Sequence, residues 1–419
     1  MEFSEYYDGQ WPLLSRVRRP SRYTGGEWGS SPPLPDSPGL VRFCLAFPDV
    51  YEVGMSFVGY QILYGLLDSM DDVSVERVYC PWPDMEEELR SRRLPLTSLE
   101  GRRPLSDFDA VGITLQYELS FTSILTLLDL GGIPLRAEDR EDGHPLVVGG
   151  GPGALNCEPV APFFDVICLG DGEVLMPPLL EAIRESRGMA REERLRILAG
   201  LPGVYVPSLV EPVYEEDGVS FRSDYPLPVR RQIARDLDGV FSPEKLIVPS
   251  TGIVHDRIPV EVFRGCSRGC RFCQAGMIYR PVREKSPETV IRQVKTLLDQ
   301  TGMDEVGLVS LATCDYSGIS QVLDELIPML KERKIKLSLP SLRMDRFSVE
   351  LAARLETLRK GGLTFAPEAG TQRLRDVINK GVTEEDIEKT VDAAFEHGWE
   401  RVKLYFMMGL PTETEDDLE

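Results

Sequence analysis

The sequence predicts an α/β protein in which a Rossmann- or flavodoxin-like parallel-sheet domain is followed by a strand–helix barrel. Short apolar runs of strand length alternate with periodic segments of helix length along most of the chain. The runs are apolar at almost every position, which is typical of strands buried on both faces of a parallel sheet. With 419 residues the chain is long enough for about two to four domains.

The composition is that of a globular protein without a membrane segment. No uninterrupted apolar stretch reaches the roughly 18 residues of a membrane span, and the first residues are acidic and polar. Three of the eight cysteines cluster, which fits a reducing cytosol, so we expect a cytoplasmic protein. The net charge of −21 argues against broad phosphate-backbone binding by nucleic acid, although it leaves a locally basic site open.

Residues 1–40 have the composition of an arm rather than of a domain. Four arginines, at positions 16, 18, 19 and 22, precede a run rich in proline and serine. Such a segment cannot bury enough apolar surface for a core of its own. We expect the basic cluster to contact a phosphate, to pack on the following domain or to stay in solvent.

Residues 41–200 form the predicted parallel-sheet domain. Its expected strands are Val41–Phe47, Val73–Tyr79, Ala110–Gln116, Leu146–Val148 and Val166–Leu169, and its expected helices are Gly54–Met70, Pro83–Arg92 and Leu119–Leu130. In sheets of this kind ligands bind beyond the carboxyl ends of the strands. Residues 201–247 are predicted to be a linker that contains a β-hairpin around Asp217 and Gly218.

A repeating strand–helix pattern begins near residue 248 and runs to residue 419. The expected strands are Pro259–Phe263, Glu305–Leu311, Lys336–Leu342, Leu363–Pro367 and Arg401–Met407, and the expected helices are Pro287–Gln300, Ile319–Lys334, Val349–Lys360 and Glu384–His397. Ser286 followed by a proline is a typical start for the first of these helices. In a parallel barrel the active site lies at the carboxyl ends of the strands.

The first of these carboxyl ends carries three closely spaced cysteines. Cys266, Cys270 and Cys273 have the spacing C-x3-C-x2-C, so their thiolates can hold one metal centre. An iron–sulfur cubane usually takes four cysteines, and three leave one iron open for another ligand. A structural zinc site is the alternative, but it needs a fourth ligand, and the nearest candidates, His255 and Cys314, are not at a zinc-finger spacing.

The cysteine motif, with Phe272 before the last cysteine, resembles the radical S-adenosylmethionine (SAM) family. The resemblance implies that the open iron of a [4Fe–4S] cluster binds SAM, which is cleaved to a 5′-deoxyadenosyl radical. It also implies an electron donor such as a flavodoxin or ferredoxin. The family's core is usually a (β/α)6 barrel, and five strands are recognisable here, so we expect a partial barrel truncated at the C-terminus.

Candidate SAM-binding residues follow from the strand ends and from this resemblance. They are Phe272, Gly276, Ser310, Arg343, Glu368 and Arg375. Glu368 is suited to accept hydrogen bonds from ribose hydroxyls, and the two arginines are suited to pair with the SAM carboxylate. The alternatives are structural: Glu368 caps the following helix, and Arg343 bridges to Asp345 or to a surface acid.

The first domain resembles the cobalamin-binding domain that precedes many radical SAM cores. That domain carries D-x-H-x-x-G, S-x-L and G-G motifs, and the matching candidate residues here are Asp49, Gly54, Thr114, Gly149 and Gly150. Tyr51 stands where the cobalt-ligating histidine would be. Any bound cobalamin is therefore expected to lack a histidine ligand, and a flavodoxin-like scaffold with another ligand stays open.

The whole pattern resembles one group of cobalamin-binding-domain radical SAM proteins, with F-P-D-x-Y-E-V-G-M-S and R-G-C-x3-C-x2-C-Q-A-G motifs. We expect a radical SAM enzyme acting on an unknown substrate, with cobalamin delivering a methyl group to an unactivated carbon. A methylthiotransferase-like enzyme acting on tRNA or a ribosomal protein is one alternative. It would need a second cluster from the N-terminal cysteines, which are Cys44, Cys80, Cys157 and Cys168. A non-enzymatic iron–sulfur or SAM sensor is the other.

Overall fold

The computed structural model describes residues 12–346, 349–356 and 363–419. These form two units, one of residues 1–234 with 241–255 and the other of residues 235–240 with 256–419. The unit boundary at residue 255 lies close to the predicted start of the barrel, and residues 201–234 belong to the first unit. No helix in the described ranges is long and apolar enough to cross a membrane.

A six-stranded sheet with the strand order β2-β1-β3-β4-β5-β6 organises the first unit. Its strands are β1 (Val41–Phe47), β2 (Val73–Tyr79), β3 (Ala110–Thr114), β4 (Leu146–Gly150), β5 (Val166–Cys168) and β6 (Val204–Tyr205). The first five run parallel, and β6 pairs antiparallel with β5. The order 2-1-3-4-5 is that of flavodoxin-like folds, in which the chain reverses its direction across the sheet between β1 and β3.

Helices cover both faces of this sheet. They are α1 (Tyr51–Gly54), α2 (Val58–Asp68), α3 (Pro83–Arg92), α4 (Phe121–Leu130), α5 (Gly172–Glu185) and α6 (Arg191–Ala199). The expected helix over residues 54–70 is interrupted, because Phe57 is extended and starts α2 anew. Short 3-10 helices lie at Pro20–Tyr23, Leu105–Asp107, Glu118–Ser120, Ala137–Asp139, Pro152–Asn156, Ala161–Phe163 and Pro207–Leu209.

Alternation along β1 divides the core into two halves. Phe43 and Leu45 belong to one apolar cluster, whereas Cys44 and Ala46 belong to another. Successive strand residues point to opposite faces of a sheet, so these clusters are the two sides of one buried sheet. The antiparallel hairpin of β7 (Val210–Glu215) and β8 (Gly218–Ser223) is present as expected, and its turn, at Glu216 and Asp217, lies one residue before the predicted position.

The N-terminal residues are part of the first unit's core. Leu13 is fully buried in one of the two apolar clusters. Further along, the Glu27 carboxylate accepts a hydrogen bond at 2.7 Å from the Arg77 guanidinium, which also donates to Glu100 at 2.6 Å. All three side chains are almost completely buried. Of the basic cluster, Arg22 packs on this domain and pairs with Glu52 at 2.8 Å, whereas the side chains of Arg16 and Arg19 are mostly exposed.

The second unit contains strands at all five predicted places. They are β9 (Ile258–Glu261), β12 (Glu305–Val309), β13 (Lys336–Ser338), β14 (Leu363–Glu368) and β15 (Val402–Phe406), and a short antiparallel pair, β10 (Phe263–Arg264) with β11 (Arg283–Glu284), follows β9. The parallel strands form two sheets, with the orders β13-β12-β9 and β14-β15. A mixed α/β domain is thus confirmed, and closure into a (β/α)6 barrel stays a prediction.

Four helices of the second unit begin at the expected residues 287, 319, 349 and 384, whereas two shorter ones, at residues 275–278 and 372–377, were not expected. In chain order the helices of this unit are α7 (Ala275–Ile278), α8 (Pro287–Thr301), α9 (Ile319–Glu332), α10 (Val349–Glu356), α11 (Gln372–Val377), α12 (Glu384–Glu396) and α13 (Glu415–Leu418), with 3-10 helices at Thr313–Asp315 and Met344–Arg346. The Ser286 hydroxyl accepts from the Thr289 amide and caps α8 as predicted. The last part of the helix predicted over residues 349–360 lies outside the described residues.

Replacing Glu27 by alanine should lower the free energy of unfolding by about 3 kcal/mol, because it leaves part of the Arg77 charge buried without its partner. Urea denaturation of the purified protein measures this change. Replacing Arg16, whose exposed pair with Glu88 spans 3.8 Å, should change it by less than about 0.5 kcal/mol. Equal effects of the two substitutions would contradict a core role for the N-terminal residues.

Candidate functional site

The three clustered cysteines lie in a loop that β10 and β11 close at its base. Two glycines of this loop, Gly265 and Gly269, have φ angles of 94° and 79°. A Cβ atom at Gly265 would lie only 2.7 Å from the Pro281 carbonyl oxygen. Both positions therefore need glycine, as expected for a loop that folds tightly around a cluster.

The thiols fit a cluster better than a single ion. Cys270 is buried, and Cys266 and Cys273 are partly exposed. Within the described ranges no three His, Cys, Asp or Glu side chains converge closely enough to bind one ion. In a cubane each cysteine binds its own iron, so such convergence is not required. The Gly276 amide lies 3.4 Å from the Cys273 sulfur, and an amide donor stabilises a thiolate.

The end of α11 holds one side of the cysteine loop. The Arg271 amide donates to the Ile378 carbonyl oxygen at 2.9 Å. The Asn379 side chain donates to the Gly269 carbonyl oxygen at 2.8 Å. These contacts join the middle of the loop to a segment more than a hundred residues later in the chain.

Arg268, between the first two cysteines, holds the other side. Its guanidinium donates to Asp315 at 2.7 Å and to Asp345 at 2.9 Å. The two aspartates follow β12 and β13, so one side chain joins the cysteine loop to two neighbouring strand ends. The hydrogen bond to Asp315 raises the pKa of Arg268 above its ordinary value. Arg268 is not among the site residues predicted from the sequence, although its position between two candidate ligand cysteines could have indicated it.

Arg343 and Glu368, two of the predicted SAM-binding residues, lie near this loop. The Arg343 guanidinium donates to Asp345 at 2.9 Å and to the Lys380 carbonyl oxygen at 2.7 Å, and a third nitrogen lies 4.0 Å from the Cys270 sulfur. Glu368 pairs with the Lys380 ammonium at 2.9 Å. The bridge from Arg343 to Asp345, named as its structural alternative, is therefore present.

Phe272 and Ser310 lie in different environments, one partly exposed and the other hydrogen-bonded within the protein. The Phe272 ring is 41% exposed and lies 5.9 Å from the Lys380 nitrogen, so one aromatic face is accessible beside a cation. The Ser310 hydroxyl lies 3.0 Å from the Thr313 hydroxyl, which itself donates to the Pro340 carbonyl oxygen. Both residues lie in strand-end loops, and their contacts with SAM stay predictions.

Arg375 has partners other than the expected SAM carboxylate. It is only 1% exposed, and its guanidinium donates to the carbonyl oxygens of Val382 at 3.0 Å and Gly370 at 2.7 Å. It donates to the Ala369 carbonyl oxygen as well, at 3.1 Å. Buried backbone acceptors already use this guanidinium, so it shapes the loop after Glu368 and does not present a free cation.

The carboxyl edge of the first unit's sheet brings together several of the predicted cobalamin-binding residues. Asp49 follows β1, and its carboxylate accepts from the Tyr117 hydroxyl, after β3, at 2.6 Å. That bond chiefly raises the pKa of Tyr117, to about 12. The buried Thr114 hydroxyl, at the end of β3, has no hydrogen-bond partner among the described residues. A buried hydroxyl without a partner is costly, which points to a missing ligand or water.

The predicted cobalamin-binding glycines of this edge differ in what lies next to them. A Cβ atom at Gly54 would lie 2.4 Å from the Tyr79 ring, and one at Gly149 would lie 3.0 Å from the Phe164 ring. These two glycines therefore make room for protein side chains rather than for a ligand. A Cβ atom at Gly150 would make only ordinary contacts with Cys168, at 3.8 Å.

Tyr51, at the position of the missing histidine, points into the protein. It is 1% exposed, and its hydroxyl donates to Glu27 at 2.8 Å. Burial, chiefly, raises the pKa of Tyr51 far above its ordinary value. A phenol held in this way is not available to a cobalt ion at the sheet edge.

The four N-terminal cysteines do not form a second ligand set. Cys44 and Cys168 belong to apolar clusters on opposite faces of the sheet. Burial raises the pKa of Cys80 and Cys168 to about 12 and that of Cys157 to about 11. Thiols buried in apolar surroundings are less reactive than exposed ones.

Anaerobic reconstitution should give about four irons per chain, and replacing Cys266 by alanine should remove most of them. Iron and sulfide analysis measures the content. Replacing Cys314 should leave it unchanged, because burial raises the pKa of that nearby thiol to about 11. About eight irons in the wild type would instead indicate a second cluster.

Two family models match the chain. One, described as radical SAM proteins, N-terminal, matches residues 59–207, and the other, the radical SAM superfamily, matches residues 260–419. Among curated proteins, the uncharacterized protein MJ0966 of Methanocaldococcus jannaschii is 29% identical over 91% of this chain and 72% of its own length. Ribosomal protein uS12 methylthiotransferase RimO of Desulfotalea psychrophila is 23% identical over 60% of this chain and 62% of its own length.

Two solved structures have the same fold. Radical SAM methyltransferase TsrM from Kitasatospora setae, solved with tryptophan substrate, is 18% identical with a TM-score of 0.59, over 90% of this chain and 69% of that chain. Cobalamin-dependent SAM radical enzyme OxsB is 14% identical with a TM-score of 0.58, over 90% and 51%. At these identities the likeness concerns the fold. The two family matches, to radical SAM models over residues 59–207 and 260–419, identify the chain as a radical SAM enzyme, and its radical SAM domain takes a [4Fe–4S] cluster and SAM.

Proposed function

We propose that this radical SAM enzyme binds cobalamin at the carboxyl edge of its first sheet and transfers a methyl group to an unactivated carbon. The observation that carries this proposal is the buried, unpartnered Thr114 hydroxyl at the end of β3. It lies beside the point where the strand order reverses, which is where flavodoxin-like sheets bind their cofactors. The TsrM and OxsB likenesses support the proposal through the shared fold.

The residues of this edge fit a cobalamin in part. Thr114 would donate or accept a hydrogen bond, Asp49 and Tyr117 would contact polar groups of the cofactor, and Gly150 leaves space beside them. The Tyr51 hydroxyl donates to Glu27, so that position would supply no ligand to the cobalt. When bound, the cofactor would supply a transferable methyl group.

In the second unit the proposed roles follow the contacts. The three cysteines hold the cluster, and the Gly276 amide stabilises the Cys273 thiolate. Glu368, held by Lys380, would accept from the ribose hydroxyls of SAM. Phe272 and Ser310 would contact the rest of SAM, and a low-potential flavodoxin or ferredoxin would deliver the electron. The substrate would occupy the same strand ends.

Methylthiotransfer is the second candidate function, and the RimO relative favours it. That reaction would need a sulfur source in addition to the SAM-binding cluster. The buried, separated N-terminal cysteines argue against a second cluster in the described part of the chain. Methyl transfer is therefore the better supported proposal.

Anaerobic protein given SAM and a low-potential reductant should release S-adenosylhomocysteine or 5′-deoxyadenosine, because the open iron positions SAM for reaction. Chromatography of the small-molecule products measures this release. Replacing Cys273 by alanine should reduce it at least about a hundredfold, since the cluster is lost. A fully loaded wild type that yields neither product would contradict the assignment.

Replacing Thr114 by valine should weaken cobalamin binding about tenfold, the effect of one lost hydrogen bond. Absorption titration with hydroxocobalamin measures the Kd. The substitution should not destabilise the ligand-free protein, because it removes a buried hydroxyl that has no partner among the described residues. Replacing the exposed Thr122 by valine is the matched control. Unchanged affinity in the Thr114 variant would contradict the proposed contact.

A further inference from the structure

The Arg343 side chain faces one of the three ligand sulfurs directly. A terminal nitrogen of the Arg343 guanidinium lies 4.0 Å from the Cys270 sulfur, at the limit of a hydrogen bond to sulfur. Cys270 is the buried member of the trio, so little water competes for this contact. The Arg343 side chain is itself only 9% exposed.

Two contacts hold this guanidinium in place. Its Nε donates to an Asp345 oxygen at 2.9 Å, and its second terminal nitrogen donates to the Lys380 carbonyl oxygen at 2.7 Å. The other Asp345 oxygen accepts from Arg268, which lies inside the cysteine loop. One carboxylate thus ties both the loop and the Arg343 cation into a single arrangement.

Two other cations near the loop have carboxylate partners. Arg268 is matched by Asp315 at 2.7 Å, and Lys380 is matched by Glu368 at 2.9 Å. Asp345 lies between two arginines. Three thiolates already make the cluster site negative, and reduction of a cluster by one electron adds a further negative charge. A fixed cation at one ligand sulfur favours the reduced form, because charge and hydrogen bonds to the sulfurs set the potential.

We propose that Arg343 raises the reduction potential of the cluster through its contact with Cys270, rather than serving only to bind SAM. One electron, from an external low-potential donor such as a flavodoxin, enters the cluster, and no bond to Arg343 forms or breaks. This proposal depends on the cluster and is independent of the cobalamin proposal.

The reduction potential of the reconstituted full-length chain, in the absence of SAM, tests this inference. Titration with titanium(III) citrate, followed by electron paramagnetic resonance, measures it. Replacing Arg343 by methionine, which keeps bulk and removes charge, should make reduction at least tenfold less favourable, a shift of 59 mV to more negative potential. Replacing it by lysine should shift the potential by less. Arg346 lies on the same loop with a side chain 60% exposed, and its methionine variant should match the wild type.

Other results would overturn the inference. A fully loaded Arg343→Met protein with an unchanged SAM-free potential and weakened SAM binding would make Arg343 a SAM ligand only. If that variant holds no iron, Arg343→Lys decides: full iron content with a near-wild-type potential supports a charge effect. Loss of iron in the lysine variant as well would assign Arg343 a structural role. The titration contains neither cobalamin nor substrate. Its result therefore does not depend on whether the protein transfers methyl groups.

Discussion

The bridge from Arg268 to two aspartates is the interaction on which the cysteine site depends. The loop around the cysteines leaves Phe272, Met277 and Val282 exposed, and a two-residue strand pair closes its base. Arg268 joins it to the loops after β12 and β13, and the end of α11 holds its opposite side. Charge-assisted hydrogen bonds have directional geometry, so they hold the ligands more firmly than loop packing would.

In the first unit, too, side chains join the loops that follow neighbouring strands. Its sheet reverses order between β1 and β3, and the loops after those strands meet through Asp49 and Tyr117. Beneath them, Arg77 and its carboxylate partners bury Tyr51 in a polar network within the core. A buried charge without its partner is strongly destabilising, so this network keeps Tyr51 away from the sheet edge. Among the described residues, this edge retains the Thr114 hydroxyl as a buried polar group without a hydrogen-bond partner.

A glycine can match a family motif and yet be required for a reason other than ligand binding. Gly54 and Gly149 match the expected cobalamin-domain pattern, yet their missing side chains admit the rings of Tyr79 and Phe164. Gly265 follows the expected cause, since its φ angle and the nearby Pro281 carbonyl exclude a side chain. A sequence pattern identifies where a side chain is absent, and only the packed structure identifies what takes its place.

The sequence by itself determined the features that depend on neighbouring residues. The cysteine spacing, the tight glycine turns, the buried parallel strands and the Ser286 cap all follow from local chemistry and periodicity. The tertiary structure decided the partners: Glu27 for Arg77, backbone carbonyls for Arg375, and Asp345 for Arg268, which lies 77 residues away. Helix α5, with two internal prolines, was also missed, because local preference opposes it and packing against the sheet stabilises it. Contacts between distant residues depend on how the whole chain folds, and no local pattern encodes which charge meets which.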